Sequence, residues 1–187
     1  MKKKKNIKIK IIKNFLDKES FKKLQDFVLG DECPWFYNKQ KVKDAYPLSS
    51  IKGYESDDPH QFTHSFLRYE NMIWSPAAIH LSSFLAKMRP RFWIRIKGNM
   101  STINSKPMVG GWHCDMAADG HERPWTDTTS AIFYMNTNNG YTMFENGKKV
   151  FCEENKLATF PNNTLHTGVS QTDAKVKVTL DLNYLDK

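Results

Sequence analysis

The chain lacks long apolar runs and contains little cysteine. No stretch of about 18 consecutive apolar residues occurs, so we expect no membrane span. The three cysteines, Cys33, Cys114 and Cys152, match neither a zinc framework nor a disulfide framework in their spacing, which predicts reduced thiols. The start has neither the apolar segment nor the cleavage site of a secretory signal, because lysines interrupt each apolar run. We therefore expect a cytoplasmic protein without a membrane partner.

Positive charge is concentrated at one end of the chain. The formal net charge is +8, and seven lysines stand within residues 1–13, before the first acidic residue. The rest of the chain is close to neutral and offers no basic face for a polyanion. This distribution predicts a solvated basic end, with a contact to phosphate or to an acidic partner as the alternative, and argues against a nucleic-acid partner.

The N-terminal half shows signals for two helices. Asp17 can cap a first helix that Gly30 ends, and Ser75 can cap a second, with Pro76 in its first turn and Pro90 as its stop. The apolar faces that we expect to pack on a sheet are Phe21, Leu24 and Val28 in the first helix, and Ala78, Leu81, Leu85 and Met88 in the second. Both helices are predicted to support a β-structure.

The C-terminal half is built from short alternating segments joined by turn residues. The segments, including "GGWHCD" and a hairpin marked by Asn146-Gly147, predict about eight strands. Such spacing is typical of a double-stranded β-helix, or jelly roll. We predict one domain over 1–187, mainly β with supporting helices (α+β). Its jelly-roll core covers 91–187, and 1–90 supply an N-terminal strand, "NIKIKII", and helices on one side; residues 31–60 have no clear pattern.

One short motif points to a metal. In an extended segment, His113 and Asp115 point to the same side, whereas Cys114 points away. His166 lies on another predicted strand and can supply a third ligand. Two imidazoles and one carboxylate form the facial triad of non-haem Fe(II) oxygenases, which leaves further positions on the ion open.

Four segments in order resemble a known family. Residues 91–187 are similar to the core of Fe(II)/2-oxoglutarate-dependent oxygenases, nearest to the prolyl 4-hydroxylase-like branch, and "NFLDKES" resembles the start of that branch. The segments that carry the resemblance are "WHCD", "SAIFYMNTNNGYTMFENG", "ATFPNNTLHTGV" and "DAKVKVTLDLNY". The resemblance implies a dioxygenase that uses Fe(II) and 2-oxoglutarate, with ascorbate as a reductant. It would hydroxylate an amino-acid or peptidyl side chain, with proline the first candidate, and release succinate and CO2.

The resemblance also implies roles for residues outside the triad. Lys177 would hold the C5 carboxylate of 2-oxoglutarate, with Lys175 as the alternative on the same face and Thr179 two residues further on. Tyr134 would donate a hydrogen bond to the same carboxylate, and Asn99 is the candidate for the C1 end. Lysine can act here as a point charge, without the two-pronged geometry of arginine.

The loop after the first two ligands is a candidate lid. It carries the sequence "MAADGHERPWTDTT", within which Arg123 and Trp125 are candidates for substrate contact.

Two other functions remain open from the residues. A barrel of this kind can hold Zn or Mn as a hydrolase or isomerase that needs no 2-oxoglutarate, and hence no cation at Lys177. It can also be a non-catalytic binding module in which the triad is structural or empty.

Overall fold

The structure is a computed structural model that describes residues 7–39, 55–57, 59–68, 71–115 and 127–186. In these ranges, no helix combines the length and the apolar character that crossing a membrane requires.

The elements in the described ranges are mostly strands. Two α-helices are present, α1 (Lys18–Leu29) and α2 (Ser82–Met88), and a 3₁₀-helix, Pro76–Leu81, leads into α2. The strands in chain order are β1 (Lys10–Ile12), β2 (Phe36–Asn38), β3 (Gln61–Arg68), β4 (Ile73–Trp74), β5 (Phe92–Thr102), β6 (Thr129–Tyr134), β7 (Tyr141–Phe144), β8 (Lys149–Phe151), β9 (Lys156–Pro161), β10 (His166–Val169) and β11 (Val176–Leu185).

Antiparallel pairing arranges these strands into a large and a small sheet. The large sheet has the order β1-β9-β6-β11-β5-β3-β2, with β4 paired to β3, and the small sheet has the order β10-β7-β8. The predicted fold class, mainly β with supporting helices and a jelly-roll core, is confirmed.

Strand β11 lies at the centre of the large sheet and has two different faces. Its apolar face packs against the helices and contains Val178, Leu180, Leu182 and Tyr184. Its polar face points into the space between the sheets and contains Lys177, Thr179, Asp181 and Asn183. Because successive side chains of a strand point to opposite faces, one alternating segment builds both the core and a polar cavity wall.

Strand β5 continues the polar wall. Its polar face carries Arg95, Lys97, Asn99 and Ser101, which pair in register with Asn183, Asp181, Thr179 and Lys177 of β11, respectively. Paired residues of antiparallel strands share a face. The two strands therefore present a ladder of four polar rungs to the cavity.

The first predicted helix is confirmed, and the second is partly wrong. The Asp17 carboxylate accepts a hydrogen bond from the backbone N–H of Ser20 at 2.9 Å, and α1 ends before Gly30. The second helix starts after Ser75 as predicted, but its first six residues form a 3₁₀-helix. The residues buried there and in α2 follow a spacing of three, which matches a helix of three residues per turn: Ala78, Leu81 and Phe84.

The strand predictions include one segment that forms no strand and miss β2, β3 and β4. Segment 110–115, "GGWHCD", forms no strand: isolated bridges join His113 to His166 and the preceding Val109 to Val169, and Gly110 exchanges hydrogen bonds with Gly168 and Thr167 of β10. Strand β3 begins directly after residues 31–60, the region without a clear pattern. A bulge between Ser65 and Leu67 shifts the register of β3 against β5, so a simple alternation of polar and apolar residues is absent.

Asn155 connects the N-terminal segment to the rest of the fold by hydrogen bonds. Its side-chain amide donates to the carbonyl of Leu16, and its side-chain oxygen accepts from the Leu16 N–H, both at 2.8 Å. The residue is buried and has a φ of 56°, in the left-handed region.

Replacing Asn155 tests this connection. We expect Asn155→Ala to lower the free energy of unfolding by about 2–4 kcal/mol, because two buried hydrogen bonds are lost and alanine tolerates a positive φ poorly. Asn155→Gly should be about 1 kcal/mol more stable than Asn155→Ala, since glycine adopts this φ without strain. Urea unfolding of the three proteins measures the difference. Equal stability of wild type and Asn155→Ala would contradict the assignment.

Candidate active site

The three predicted ligands converge in the structure. His166 lies on β10, and His113 and Asp115 lie on the segment bridged to it. The Nε2 atoms of His113 and His166 are each 3.7 Å from Oδ1 of Asp115. One ligand atom from each residue lies within 4.8 Å of the other two. The geometry thus brings two imidazoles and one carboxylate to a single point.

Both imidazoles are oriented by the same kind of contact, a hydrogen bond from Nδ1 to the backbone carbonyl two residues earlier. Nδ1 of His113 donates to the carbonyl of Gly111 at 3.0 Å, and Nδ1 of His166 donates to the carbonyl of Thr164 at 2.9 Å. A proton on Nδ1 leaves a lone pair on Nε2, the atom that faces Asp115. Neither Nε2 makes a hydrogen bond within the described residues. These free ring nitrogens beside a carboxylate fit a divalent metal ion.

The protonation states also suit a metal. Burial, with a contribution from the adjacent His166, lowers the pKa of His113 to about 4. The ring is therefore neutral near pH 7, and neutral imidazole is the form that binds metals. Burial raises the pKa of Asp115, but His166, Arg95 and His113 together outweigh it and hold that pKa well below its ordinary value. The carboxylate is charged and available.

A hydrogen-bond network fixes the Asp115 carboxylate. Nη2 of Arg95 lies 3.4 Å from Oδ1, and Nδ2 of Asn183 lies 3.2 Å from Oδ2. Asn183 also accepts a hydrogen bond from Nε of Arg95 at 2.8 Å and contacts Ser130 at 3.0 Å. Ser130 in turn donates to Asn162 at 2.9 Å. This network holds the carboxylate in one orientation toward the two histidines.

The triad opens into a cavity of about 340 Å³ between the two sheets. The polar ladder of β5 and β11 forms one wall, and Gly110, Gly111, Thr142 and Gly168 contribute to the rest. Arg95 and Asn183 form the rung next to the triad, and Ser101 and Lys177 form the rung at the opposite end. A volume of this size is typical of a small-molecule site.

Lys177 lies at the end of the cavity away from the triad. Its side chain is buried, and its Nζ donates to the carbonyl of Val169 at 2.6 Å. A Cβ at Gly140 would come within 2.9 Å of the Lys177 Cδ atom and within 3.1 Å of the Val169 carbonyl, so the lysine passes beside a position that requires glycine. Lys175, the alternative, precedes β11 and is exposed. Burial lowers the pKa of Lys177.

The other residues assigned by resemblance occupy different places. Thr179 and Asn99 line the cavity, and both donate hydrogen bonds to Asp181, at 3.1 and 2.6 Å. Tyr134 is fully buried and pairs in register with Thr179, and its hydroxyl is 2.8 Å from Oγ1 of Thr142, which does line the cavity. Tyr134 therefore reaches the cavity through Thr142.

Sequence analysis missed four charged or polar residues of the site: Arg95, Lys97 and Asp181, which line the cavity, and Asn183, which contacts Asp115. A signal for them existed, because "WIRIKGN" and "KVKVTLDLN" both alternate apolar and polar residues. Such alternation indicates a two-faced strand but does not identify what the polar face meets. The proposed lid contacts, Arg123 and Trp125, lie outside the described residues.

Comparison with known proteins shows a shared fold. An oxidoreductase of the 2OG-Fe(II) oxygenase family from Burkholderia pseudomallei superposes with a TM-score of 0.63 at 10% identity, over 94% of this chain and 84% of that one. A prolyl-4-hydroxylase from Pseudomonas putida gives 0.58 at 10% identity, over 97% and 94%. The non-haem α-ketoglutarate-dependent epimerase SnoN from nogalamycin biosynthesis gives 0.57 at 9% identity, over 95% and 77%. The resemblance seen in the sequence is thus confirmed at the level of the fold.

Sequence comparison adds nothing to this likeness. No family model and no curated protein matches the chain.

The triad makes a testable prediction about metal binding. We expect wild-type protein to bind one Co(II) per chain anaerobically, measured by the visible absorption of the bound ion. His166→Ala should weaken binding at least about 100-fold, because one of three ligands is lost. His60→Ala, an exposed histidine outside the cavity, serves as the matched control and should bind as wild type does. Equal affinities in the two variants would contradict the assignment of His166.

Proposed function

We propose that the chain is an Fe(II)- and 2-oxoglutarate-dependent dioxygenase that hydroxylates an amino-acid or peptidyl side chain. One observation carries the proposal: the cavity has a His113, Asp115 and His166 triad at one end and a buried lysine, Lys177, at the other. The co-substrate has the complementary arrangement, with a keto acid that chelates metal at one end and a carboxylate at the other. The shared fold of known 2-oxoglutarate oxygenases supports the proposal.

Lys177 and its neighbours would hold the far carboxylate of 2-oxoglutarate. A buried ammonium is costly without an anionic partner, and here Nζ has one hydrogen bond, to the carbonyl of Val169. A carboxylate in reach of Nζ would relieve this cost. Thr179 and Thr142 also line the cavity, on the large and the small sheet respectively. The Thr179 hydroxyl donates to Asp181, so the Thr142 hydroxyl, paired with that of Tyr134, is the one that would donate to the same carboxylate.

The triad would hold the iron by two neutral imidazoles and one ionised carboxylate. Bound Fe(II) would supply the oxidative chemistry, in which O2 gives one oxygen atom to succinate, formed from 2-oxoglutarate with release of CO2, and the other to the hydroxyl group that the substrate gains. The protein contributes orientation. The carbonyls of Gly111 and Thr164 keep both imidazole rings fixed, and Arg95 with Asn183 keeps the carboxylate fixed. Fixed ligands reduce reorganisation during the reaction.

The substrate class is proposed from the proteins that share the fold. A protein that shares the fold is a prolyl-4-hydroxylase, which favours an amino-acid or peptidyl target, with proline first. Another is an epimerase, so the same fold serves more than one reaction.

The burial of Lys177 also favours a 2-oxoglutarate enzyme over the two alternative functions. A Zn or Mn hydrolase or isomerase on this barrel requires no cation at that end of the cavity, and a structural triad requires no cavity at all. Burying an ammonium beside an open volume is costly. An anion bound beside Lys177 would compensate for this free-energy cost.

The co-substrate assignment is tested by two matched lysine variants. We expect Lys177→Met to weaken 2-oxoglutarate binding to the Fe(II) protein about 10- to 100-fold, because a charge-assisted hydrogen bond is removed. Lys175→Met, two residues away and exposed, should change it by less than about twofold. The anaerobic visible charge-transfer band measures both affinities. A greater loss in Lys175→Met would transfer the role to Lys175.

Turnover tests the reaction itself. With Fe(II), ascorbate and O2, we expect succinate release to be stimulated by some free amino acids or peptides, proline-containing ones first, and not by oligonucleotides. Product mass should increase by one oxygen atom. Stimulation by oligonucleotides alone would overturn the proposed substrate class, and a product of unchanged mass would indicate isomerisation.

A further inference from the structure

The described residues that line the cavity carry more positive than negative charge. The cations are Arg95, Lys97 and Lys177, and the carboxylates are Asp115 and Asp181. A divalent metal and the 2-oxoglutarate dianion cancel each other, so loading the site leaves this surplus unchanged. The proposed function therefore supplies no anion to balance one of the positive charges on the described lining residues.

Among the described residues that line the cavity, Lys97 is the cation with no hydrogen-bond or ion-pair partner in the described part of the chain. Its side chain lines the cavity and is partly buried, and it makes no hydrogen bond or ion pair with any residue in the described part of the chain. By comparison, Lys177 donates to the carbonyl of Val169, and Arg95 contacts both Asn183 and Asp115. Burial lowers the pKa of Lys97 and Arg95 lowers it further, and the more distant carboxylates of Asp181 and Asp115 offset only part of this shift. An anion beside Lys97 would offset both effects.

The two carboxylates near Lys97 already have partners. Asp115 accepts hydrogen bonds from Arg95 and Asn183 and faces the two histidines. Asp181 accepts from Asn99 at 2.6 Å and from Thr179 at 3.1 Å. Neither carboxylate comes within 4.0 Å of the Lys97 ammonium. The ammonium is thus left to face the open volume.

Position separates Lys97 from the proposed co-substrate site. Lys97 pairs with Asp181 on β5 and β11, next to the rung of Arg95 that contacts the triad. Lys177 pairs with Ser101, four residues along β5, which corresponds to about 13 Å of strand. Lys97 lies at the reacting end of the cavity, where a substrate must place its reacting carbon.

We propose that Lys97, with Arg95 beside it on the same face, forms a second anion subsite that binds a carboxylate of the primary substrate. The substrate is then a small carboxylic acid, a free amino acid rather than an internal residue of a peptide. The inference rests on the proposed function and narrows its substrate class.

The test compares acids with their amides. Protein saturated with Zn(II), which is redox-inert, and with 2-oxoglutarate is titrated with the common L-amino acids and with the corresponding amino-acid amides, and binding is measured by ligand-observed NMR. At least one acid should bind at least about tenfold more tightly than its amide, because the amide cannot form a charge-assisted bond to Lys97. If no acid is preferred over its amide, the proposal is wrong.

Variants test whether the preference for the acid over its amide depends on Lys97. Lys97→Met should remove it, Lys97→Arg should keep it, and Lys97→Glu should reverse it in favour of the amide. Lys148→Met, an exposed lysine outside the cavity, is the control and should retain it. If Lys97→Met does not fold, Lys97→Arg and Lys97→Glu still give opposite predictions. A preference that survives in Lys97→Glu would overturn the proposal.

Two further outcomes distinguish this inference from the proposed function. If Lys97→Met weakens 2-oxoglutarate as much as it weakens the acid, Lys97 serves the co-substrate and the inference fails while the proposed function stands. If wild-type protein does not bind 2-oxoglutarate, the proposed function fails. The acid–amide titration is then made on the metal-free protein, where a preference lost in Lys97→Met supports the anion subsite and its absence overturns it.

Discussion

The backbone pairing of His113 with His166 is the contact on which the candidate active site depends. Each residue donates its N–H to the carbonyl of the other at 3.0 Å. Paired residues in antiparallel strands project to the same side, so the two imidazoles lie side by side. Asp115, two residues beyond His113, then projects to the same side. The three ligands come from two distant segments, and this one bridge sets their geometry.

The polar ladder of β5 and β11 complements that bridge. Its outward residues pack on the helices and its inward residues line the cavity, so the same alternation stabilises the fold and equips the site. Buried polar groups are costly unless they bind one another, and most rungs meet this condition, as in the contacts Asn99–Asp181 and Arg95–Asn183. Within the described residues, the ammonium groups of Lys97 and Lys177 do not fully meet this condition. Those two positions are where ligand charge is expected.

Sequence analysis succeeded where the information was local. The cap at Asp17, the apolar face of α1 and the stop at Gly30 all lie within a few turns of one another, and α1 follows them. The second helix shows the limit: its residues fit an α-helical spacing in sequence, but packing of Ala78, Leu81 and Phe84 selects a 3₁₀ start. Strand β3 was missed because its bulge breaks the alternation that reveals strands.

The sequence by itself determined that His113 and Asp115 share a face and that the segment around Lys177 alternates. Both follow from the two-residue period of extended backbone. Only the tertiary structure decided which of Lys175 and Lys177 is buried, since the same period places both on one face. The pairing of β11 with β5 begins at Val176, so Lys177 is buried opposite Ser101 and Lys175 remains exposed. Burial depends on neighbours distant in sequence, and no local pattern encodes them.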